Sequence, residues 1–159
     1  LSAARAFIFN QVLSSRVNRK NWSSYLSGDL IMLEGTHSVF KPTLDESAEI
    51  DSRLSEADVH LTGPMVGKAG NLCCDELTAE LEHAVIDQYG SLCEGLVKHG
   101  LNAERRALRV IPKQLSFRFF DDDSLELCFE LPSGCFATAV MAELVAYQNA
   151  ERVYQSDEK

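Results

Sequence analysis

The sequence predicts an α+β protein, and three patterns indicate that class. Apolar and polar residues alternate over 115–119 and 125–131, which is the period of two that marks half-buried strands. Over 2–17 and 75–89 apolar residues recur every three or four positions, as on one face of a helix. Near the end of the chain, residues 114–147 combine both patterns in the order strand, strand, helix.

The first predicted helix covers residues 2–17, with Ser2 as its cap. Its buried stripe is predicted to be Phe9, Val12, Leu13 and Val17, and Arg5 lies on the other face. Two short strands, 30–34 and 38–41, follow as a hairpin around a glycine-containing turn.

A capping box formed by Thr43 and Glu46 begins the next helix, which we expect to end near residue 54. Its carboxylates fit no calcium loop, so we interpret them as a solvated face. A strand over 58–62 then leads into the turn-rich stretch 63–70, which we expect to be a surface loop. It does not match a phosphate-binding loop, because three residues instead of four separate its glycines and Ala69 follows Lys68.

Three further helices are predicted before the final motif. The first covers 75–89, is ended by Gly90, and has a buried stripe of Leu77, Leu81, Ala84 and Val85. The second covers 91–99 and is closed by Gly100. The third begins at Asn102, runs through Arg109 and is stopped by Pro112.

The final hairpin pairs the strands around 115–119 and 125–131 through a turn of three aspartates and a serine. Ser133 is predicted to cap a helix whose apolar face is Phe136, Val140, Leu144 and Tyr147. Gly134 allows a tight turn just before Phe136, where the aromatic ring has two interpretations. It is either a stacking platform for a base or the first core residue of the helix.

Composition limits the functional classes. The chain of 159 residues is 45% hydrophobic, enough for one core or one domain plus part of another. It contains no apolar run long enough for a transmembrane helix and no signal-peptide layout, so we expect a cytoplasmic protein with no membrane partner. The five cysteines and four histidines show no metal-ligand spacing, which predicts reduced cysteines and no metal.

The net charge of −9 argues against a surface that attracts nucleic acids generally. Any RNA contact is therefore expected to be local. Cations cluster in two places: one group is Arg105, Arg106, Arg109 and Lys113, and the other is Arg16, Arg19 and Lys20. Each cluster also fits a solvated helix end, where positive charge offsets the helix dipole.

Two long segments of the chain resemble a known family. The run A-E-R-R-A-L-R to M-A-E-L (103–144), the start L-S-A-A-R-A-F-I-F-N-Q (1–11), L-T-G-P-M-V-G (61–67) and Gly28-Asp29 occur in the expected order. Together they resemble the C-terminal half of the tRNA pseudouridine synthase D (TruD) family. In that family the catalytic aspartate and an N-Y-F-G motif lie upstream, so the resemblance implies that the chain is a fragment without a catalytic residue of its own.

The resemblance implies an isomerase that converts uridine, at position thirteen of bacterial tRNA, to pseudouridine without cofactor or metal. It divides the chain into residues 1–111, the later part of an insertion domain, and 112–159, the last hairpin and helix of an antiparallel-sheet catalytic domain. Partners would be tRNA and the missing N-terminal half. This piece alone is predicted to be inactive.

The resemblance also assigns roles to particular residues. Phe136 matches the family's substrate-contacting phenylalanine, and Lys68, Arg105 and Arg106 become possible RNA contacts. Ala142 departs from the family, which tends to have arginine at that position, so the contact of that arginine would be lost here.

Two other hypotheses remain open at this point. One is a stand-alone acidic α/β domain that derives from the family and binds protein without catalysis. The other is a cysteine-based hydrolase, which would need Cys135 close to His83 or His99 in space.

Overall fold

The computed structural model describes residues 1–68, 70, 73–120 and 124–146, except the side chain of Leu44. The chain forms two compact units, Leu1–Arg109 and Val110–Lys159. The helices are α1 (Ser2–Asn18), α2 (Leu44–Ser55), α3 (Glu76–Ile86), α4 (Gly90–Lys98) and α5 (Ala137–Leu144), and a 3₁₀ turn, Asp87–Tyr89, joins α3 to α4. The strands are β1 (Ile31–Leu33), β2 (Val39–Phe40), β3 (Val59–Met65), β4 (Glu104–Ala107), β5 (Lys113–Phe120) and β6 (Ser124–Glu130). The predicted α+β class is confirmed.

The first unit contains an antiparallel sheet in the order β2-β1-β3-β4. The predicted hairpin of β1 and β2 is confirmed. The predicted loop over 63–70 is wrong in its first part, because β3 continues through Gly63 and Pro64 to Met65. β1 pairs with Val59–Leu61 and β4 pairs with Thr62–Met65. Within the described residues, Pro64 therefore has β4 as a neighbouring strand on one side and no strand on the other. Such a position suits a residue without an N–H donor.

The third predicted helix is also wrong, since residues 104–107 form β4. Pairing with β3 places Arg105 opposite Pro64 and Arg106 opposite Gly63. Alanine, arginine and glutamate are good helix formers, but intrinsic propensity is a weak predictor, and backbone pairing to a sheet edge overrides it here.

The core lies on one face of the sheet, where α1 and α2 cover β1 and β3. Its buried cluster is Phe9, Ile31, Ile50, Leu54, Val59, Leu61, Met65 and Leu108. The capping box at the start of α2 is confirmed, with Thr43 and Glu46 bonding to each other's backbone. The carboxylates of α2 are exposed, as expected for a solvated face.

The side chains that α1 buries differ from the predicted stripe. Phe9 and Val12 are buried as expected. Val17 is exposed, and Ile8, which is not part of the predicted stripe, is buried. Arg5 and Arg16 are buried too, because each finds hydrogen-bond acceptors inside the unit. Ser2 lies within the helix, and the N-cap position is Leu1.

α3 departs from its predicted stripe in the same way. Leu77 and Ala84 are exposed, Leu81 is buried as predicted, and Thr78 and Glu82 are buried beside it. The polar pair is inside because Thr78 donates to Asp29 and Glu82 accepts from Arg105. Gly90 does not end the helical region, since its backbone is right-handed helical and it begins α4.

Gly28 fixes how the start of β1 meets the start of α3. Its φ is +87°, and a Cβ at this position would lie 1.8 Å from the carbonyl oxygen of Asp75. A side chain cannot be placed there without moving backbone, so the glycine allows the close approach that positions Asp29 beside α3.

The second unit consists of the predicted hairpin and a short helix. β5 and β6 pair in antiparallel register, with Phe117 opposite Leu127 and Phe119 opposite Leu125, which confirms the hairpin. The strands are not half-buried, however, because most of their side chains are exposed. α5 begins at Ala137 with Phe136 as its N-cap residue, so Ser133 is not the cap. Tyr147 and the aspartates of the hairpin turn lie outside the described residues.

In the described part of the chain, no helix has the length and apolar content needed to cross a bilayer. The same residues contain no group of three or more histidine, cysteine, aspartate or glutamate side chains arranged to hold a metal ion.

Candidate functional site

Phe136 lies at an exposed corner of the second unit. Gly134 has a φ of +86° and turns the chain after β6, and the amide of Cys135 donates to the carbonyl of Pro132 at 3.2 Å. Phe136 then takes an extended conformation just before α5, with 77% of the residue exposed. The buried residue of this helix is Val140, so the interpretation of Phe136 as a core residue is wrong for this unit.

The exposed ring has the geometry of a contact platform. An aromatic side chain that is fixed at its backbone and open on its faces can stack against a planar ligand group. The turn at Gly134 supplies the fixed backbone, and the exposure leaves the ring accessible. Ala142, further along α5, is exposed and presents only a methyl group.

Lys68 extends from a loop whose backbone is held in place. Its amide donates to Leu101 at 2.6 Å, and its carbonyl accepts from Ala103 at 3.0 Å. Next to it, a Cβ on Gly67 would lie 2.4 Å from the carbonyl carbon of Asn102, so only glycine fits that close approach. The Lys68 side chain is exposed, as expected for an anion contact.

Arg105 and Arg106 point to opposite sides of β4, and only one of them faces solvent. The Arg105 guanidinium donates to both carboxylate oxygens of Glu82, at 2.6 and 2.8 Å, and to the hydroxyl and carbonyl oxygens of Thr62. It is 8% exposed. The prediction of an RNA contact at Arg105 is wrong for this unit, because its donors are already used inside the fold.

The Glu82 carboxylate that pairs with Arg105 also affects the pKa of the neighbouring Cys74 thiol. Burial lowers the pKa of Arg105, but its hydrogen bonds to Glu82 and the carboxylate charge outweigh burial and raise the pKa overall. The Cys74 thiol donates to Glu82 at 3.1 Å. Burial and the Glu82 carboxylate raise the pKa of Cys74 to about 12. Cys74 is therefore a protonated hydrogen-bond donor and not a nucleophile.

Arg106 is exposed on the other side of the strand. Its guanidinium lies over the Phe9 ring, 5.5 Å from the centroid, which holds the side chain at the surface. Of the two arginines, Arg106 is the one available for an anionic partner.

Two buried arginines of α1, Arg5 and Arg16, connect this helix to other segments of the first unit, and the sequence patterns did not predict these contacts. Arg16 donates to both carboxylate oxygens of Asp29, at 2.6 and 3.0 Å, and Asp29 also accepts from Thr78 and from the amide of Leu26. Arg5 donates to the carbonyls of Met65 and Asn102. Arginines spaced eleven residues apart lie on one side of a helix, and that spacing was the available signal.

A third internal group involves a histidine. His60 Nε2 lies 2.6 Å from Glu34, and its Nδ1 accepts from Arg109 at 3.1 Å. Because Arg109 Nε can only donate, Nδ1 carries no proton in this arrangement. Burial lowers the pKa of Arg109, and the charge of Glu34 opposes that change. The group joins the end of α2 to β3, since Arg109 also donates to Leu54 and Val59.

The chain is an α+β protein of two units. The first is a four-stranded sheet with buried ion pairs, and the second is an exposed hairpin followed by a turn that carries the exposed Phe136. The family model described as tRNA pseudouridine synthase D (TruD) matches residues 1–144. The chain therefore belongs to the TruD family.

Curated relatives agree with this assignment. A tRNA pseudouridine synthase D of Xanthomonas campestris is 44% identical over 155 residues, covering 96% of this chain and 42% of the relative. Proteins of the same name from Aeromonas salmonicida and Hydrogenovibrio crunogenus are 38% and 40% identical, with 98% and 91% of this chain covered, and 44% and 41% of the relatives. This chain thus spans less than half the length of these relatives. Their names do not favour a stand-alone interaction domain.

A solved structure supports the fold. The crystal structure of a tRNA pseudouridine synthase D from Methanosarcina mazei matches with a TM-score of 0.62 at 19% identity. The match covers 87% of this chain and 36% of that one.

The motifs that carried the family resemblance have different structural roles. Asp29, Arg105 and Arg109 are engaged in internal hydrogen bonds, whereas Phe136 is exposed. Cys135 is exposed, and the four histidines all belong to the first unit. Of the residues to which the family resemblance assigns a ligand contact, Phe136, Lys68 and Arg106 are exposed and Arg105 is buried.

Proposed function

We propose that this chain is part of a tRNA pseudouridine synthase that converts a uridine to pseudouridine, at position thirteen of bacterial tRNA. It supplies substrate-binding elements, and the catalytic aspartate lies in polypeptide outside this chain. The observation that carries the proposal is the exposure of Phe136, which the family resemblance matches, within the segment G-C-F-A-T (134–138), to a substrate-contacting phenylalanine. A tRNA substrate favours a cytoplasmic location.

The role of Phe136 is to pack against a uridine held outside its base stack. Chemistry on a base inside a folded RNA requires the nucleotide to be extruded, which costs a few kcal/mol. Stacking on an aromatic ring contributes about 1 to 3 kcal/mol per base. That gain offsets much of the cost of extrusion and holds the base in position for the reaction.

The domain division follows from the same proposal. Residues 1–111 form the later part of an insertion domain, and residues 112–159 form the last hairpin and helix of the catalytic domain. Support comes from the boundary between the two compact units, which falls after Arg109. The apolar side of the hairpin, with Phe117 and Phe119 68% and 67% exposed, is suited to packing against further strands and helices of a catalytic domain.

Lys68 and Arg106 are the proposed phosphate contacts of the first unit. Both are exposed. Hydrogen bonds hold the backbone of Lys68 in its loop, and the Phe9 ring packs against the guanidinium of Arg106. A preordered cation loses less conformational entropy on binding than a free one.

The test uses this chain alone and together with an N-terminal half that carries the catalytic aspartate. Alone, the chain should form no pseudouridine in a tRNA transcript. Together, the two pieces should form it, and Phe136→Ala should lower the rate by about 5- to 150-fold, given the stacking energy.

Phe136→Tyr keeps an aromatic ring and is the matched variant, expected to retain most of the rate. The Phe136 hypothesis is wrong if the alanine variant of the two-piece enzyme turns over at the parental rate. Pseudouridine formation by the chain alone would contradict the proposed division of labour.

A further inference from the structure

Many cations of the described residues are already paired within the fold. Carboxylates lie within ion-pair distance of Arg5, Arg16, Lys41, Arg53, Arg105 and Arg118. Arg19 and Lys20 are exposed, and within the part of the chain that the structure describes neither has a carboxylate partner. In a protein of net charge −9, cations left without an internal partner are the ones available to an anionic ligand.

The turn that carries Arg19 and Lys20 is held in place by hydrogen bonds from the buried Arg16 side chain. Arg16 is buried, and besides Asp29 it donates to the carbonyls of Asn21 and Ser24, at 2.9 and 3.3 Å. The amide of Asn21 in turn donates to the carbonyl of Arg16 at 3.0 Å. The turn is therefore preordered, and Lys20 adopts a φ of +58°, which is uncommon for a residue with a side chain.

Trp22 is on this turn and is 39% exposed. It lies in a shallow hollow whose other residues are Ser23, Leu54, Leu61, Leu108 and Arg109. Leu108 directly follows β4, and β4 is the edge strand of the described sheet. The indole is thus next to the end of that edge, supported on one side by the core.

The edge strand connects this turn with the two cations already proposed as phosphate contacts. Lys68 pairs with Asn102 just before β4, Arg106 lies within β4, and Leu108 beside Trp22 follows it. Asn102 and Leu108 are six positions apart in the chain, and an extended segment of that length spans roughly 20 Å. Cations and an aromatic ring therefore follow one edge of the first unit.

We propose that this edge, from Lys68 through Arg106 to Arg19, Lys20 and Trp22, binds a non-helical segment of the tRNA. The four cations contact phosphates, and a base stacks on Trp22. The proposal rests on the proposed function and extends its RNA-facing surface by three residues. An exposed aromatic ring beside unpaired cations is the combination that single-stranded RNA recognises, because stacking and phosphate neutralisation act together.

An acidic polypeptide is the other anionic partner to consider. It would use the cations but would have no planar base for the indole. RNA is favoured for that reason, and the two partners are separated by the role of Trp22.

Trp22 is the only tryptophan of the chain, so its fluorescence reports on this site directly. An unmodified tRNA transcript is titrated into the full chain, and binding is measured in parallel by anisotropy of labelled tRNA between 50 and 200 mM salt. We expect tRNA to quench the tryptophan and polyglutamate to leave it unchanged. Trp22→Ala should weaken binding about 5- to 150-fold, and Trp22→Phe much less.

The double variant Arg19→Gln, Lys20→Gln should reduce the slope of log affinity against log salt by about 1.4 to 1.8, for two lost phosphate contacts. Lys98→Gln is the matched control: it removes another exposed cation, at the end of α4, and should change nothing. Equal unfolding midpoints for all variants would show that the fold is intact.

The results separate this proposal from the proposed function. Parental affinity in Trp22→Ala and in the double variant, with weaker binding in Lys68→Gln and Arg106→Gln, would overturn the extended edge and leave the proposed function standing. Quenching by polyglutamate as strong as by tRNA would assign the edge to an acidic polypeptide. No tRNA binding by the unsubstituted chain would overturn the RNA-facing role of the whole edge, and the Phe136 experiment would still decide the other unit.

Discussion

The two units of this chain place similar apolar sequences in opposite surroundings. In the first unit, Ile31 and Leu61 face each other across two strands and are buried under α1 and α2. In the second, Phe117 and Phe119 lie opposite Leu127 and Leu125 of the paired strand, and apolar and polar residues alternate in the same way. Even so, Phe117 and Phe119 are 68% and 67% exposed. Alternation predicts a strand and its two faces, but it does not say whether another element covers the apolar face.

The difference extends to charged groups. The ion pair of Arg16 and Asp29 is buried, and its remaining donors and acceptors are used by neighbouring backbone and by Thr78. The ion pair of Arg118 and Glu126 on the hairpin is 3.6 Å long and exposed. Exposed pairs contribute about 0 to 1 kcal/mol, whereas breaking a buried pair costs far more. Substitutions at the buried pairs of the first unit should therefore cost more stability than substitutions at exposed pairs such as that of Arg118 and Glu126.

The largest expected effect is that of Asp29→Ala on the stability of the first unit. The substitution leaves the Arg16 guanidinium buried without its carboxylate, so we expect the free energy of unfolding to fall by about 3 to 5 kcal/mol. Urea denaturation followed by Trp22 fluorescence measures it. Lys41→Gln, which breaks the exposed pair of Lys41 and Asp75, is the control and should cost about 1 kcal/mol or less. Equal losses for the two variants would contradict the distinction between buried and exposed pairs.

A second prediction compares thiols. Burial and Glu82 raise the pKa of Cys74 to about 12, so at pH 8 only about one thiol in ten thousand is ionised. The thiolate is the reactive form, and Cys128 and Cys135 of the hairpin unit are exposed. Iodoacetamide should therefore label Cys74 at least about 100 times more slowly than either, as read from peptide masses.

Glu82→Gln tests the cause of that slow labelling. Removing the carboxylate charge lowers the pKa of Cys74 and should accelerate its labelling, while Cys128 and Cys135 react as before. Cys74 reacting at the rate of the hairpin thiols in the parental chain would show that it lacks the enclosure described here.

The sequence predicted local structure better than it predicted surroundings. The capping box at Thr43 and the β5–β6 hairpin were both identified, because each depends on residues close together in the chain. β4 was missed because only its pairing with β3 makes residues 104–107 a strand. Glycine and proline inside β3 predict a turn when only local sequence is considered, whereas sheet neighbours far along the chain decide their conformation.

Predictions about the site divide in the same way. The turn at Gly134 just before Phe136 is local, and the sequence indicated it, but the pattern left open whether the ring lies in a core or, as observed, in solvent. The burial of Arg105 depends on Glu82, a residue of another element, and no local pattern contains that information. Charge clusters in a sequence therefore combine residues that face solvent with residues that stabilise the fold, and contacts between elements are needed to separate them.

The smallest expected effect is on the hairpin, and it tests the comparison most directly. Phe119→Ser in this chain should change the free energy of unfolding by about 0.5 kcal/mol or less, because the ring is already exposed. Leu61→Ala in the first unit removes a buried side chain and should cost about 2 to 5 kcal/mol. If polypeptide outside this chain covers the hairpin, Phe119→Ser should become costly once an N-terminal half is added, by up to the roughly 1.5 to 3 kcal/mol of a buried aromatic ring. The measurement is the affinity of the two pieces, and a Phe119→Ser chain that binds the N-terminal half as tightly as the parent would show that this face stays open in the whole protein.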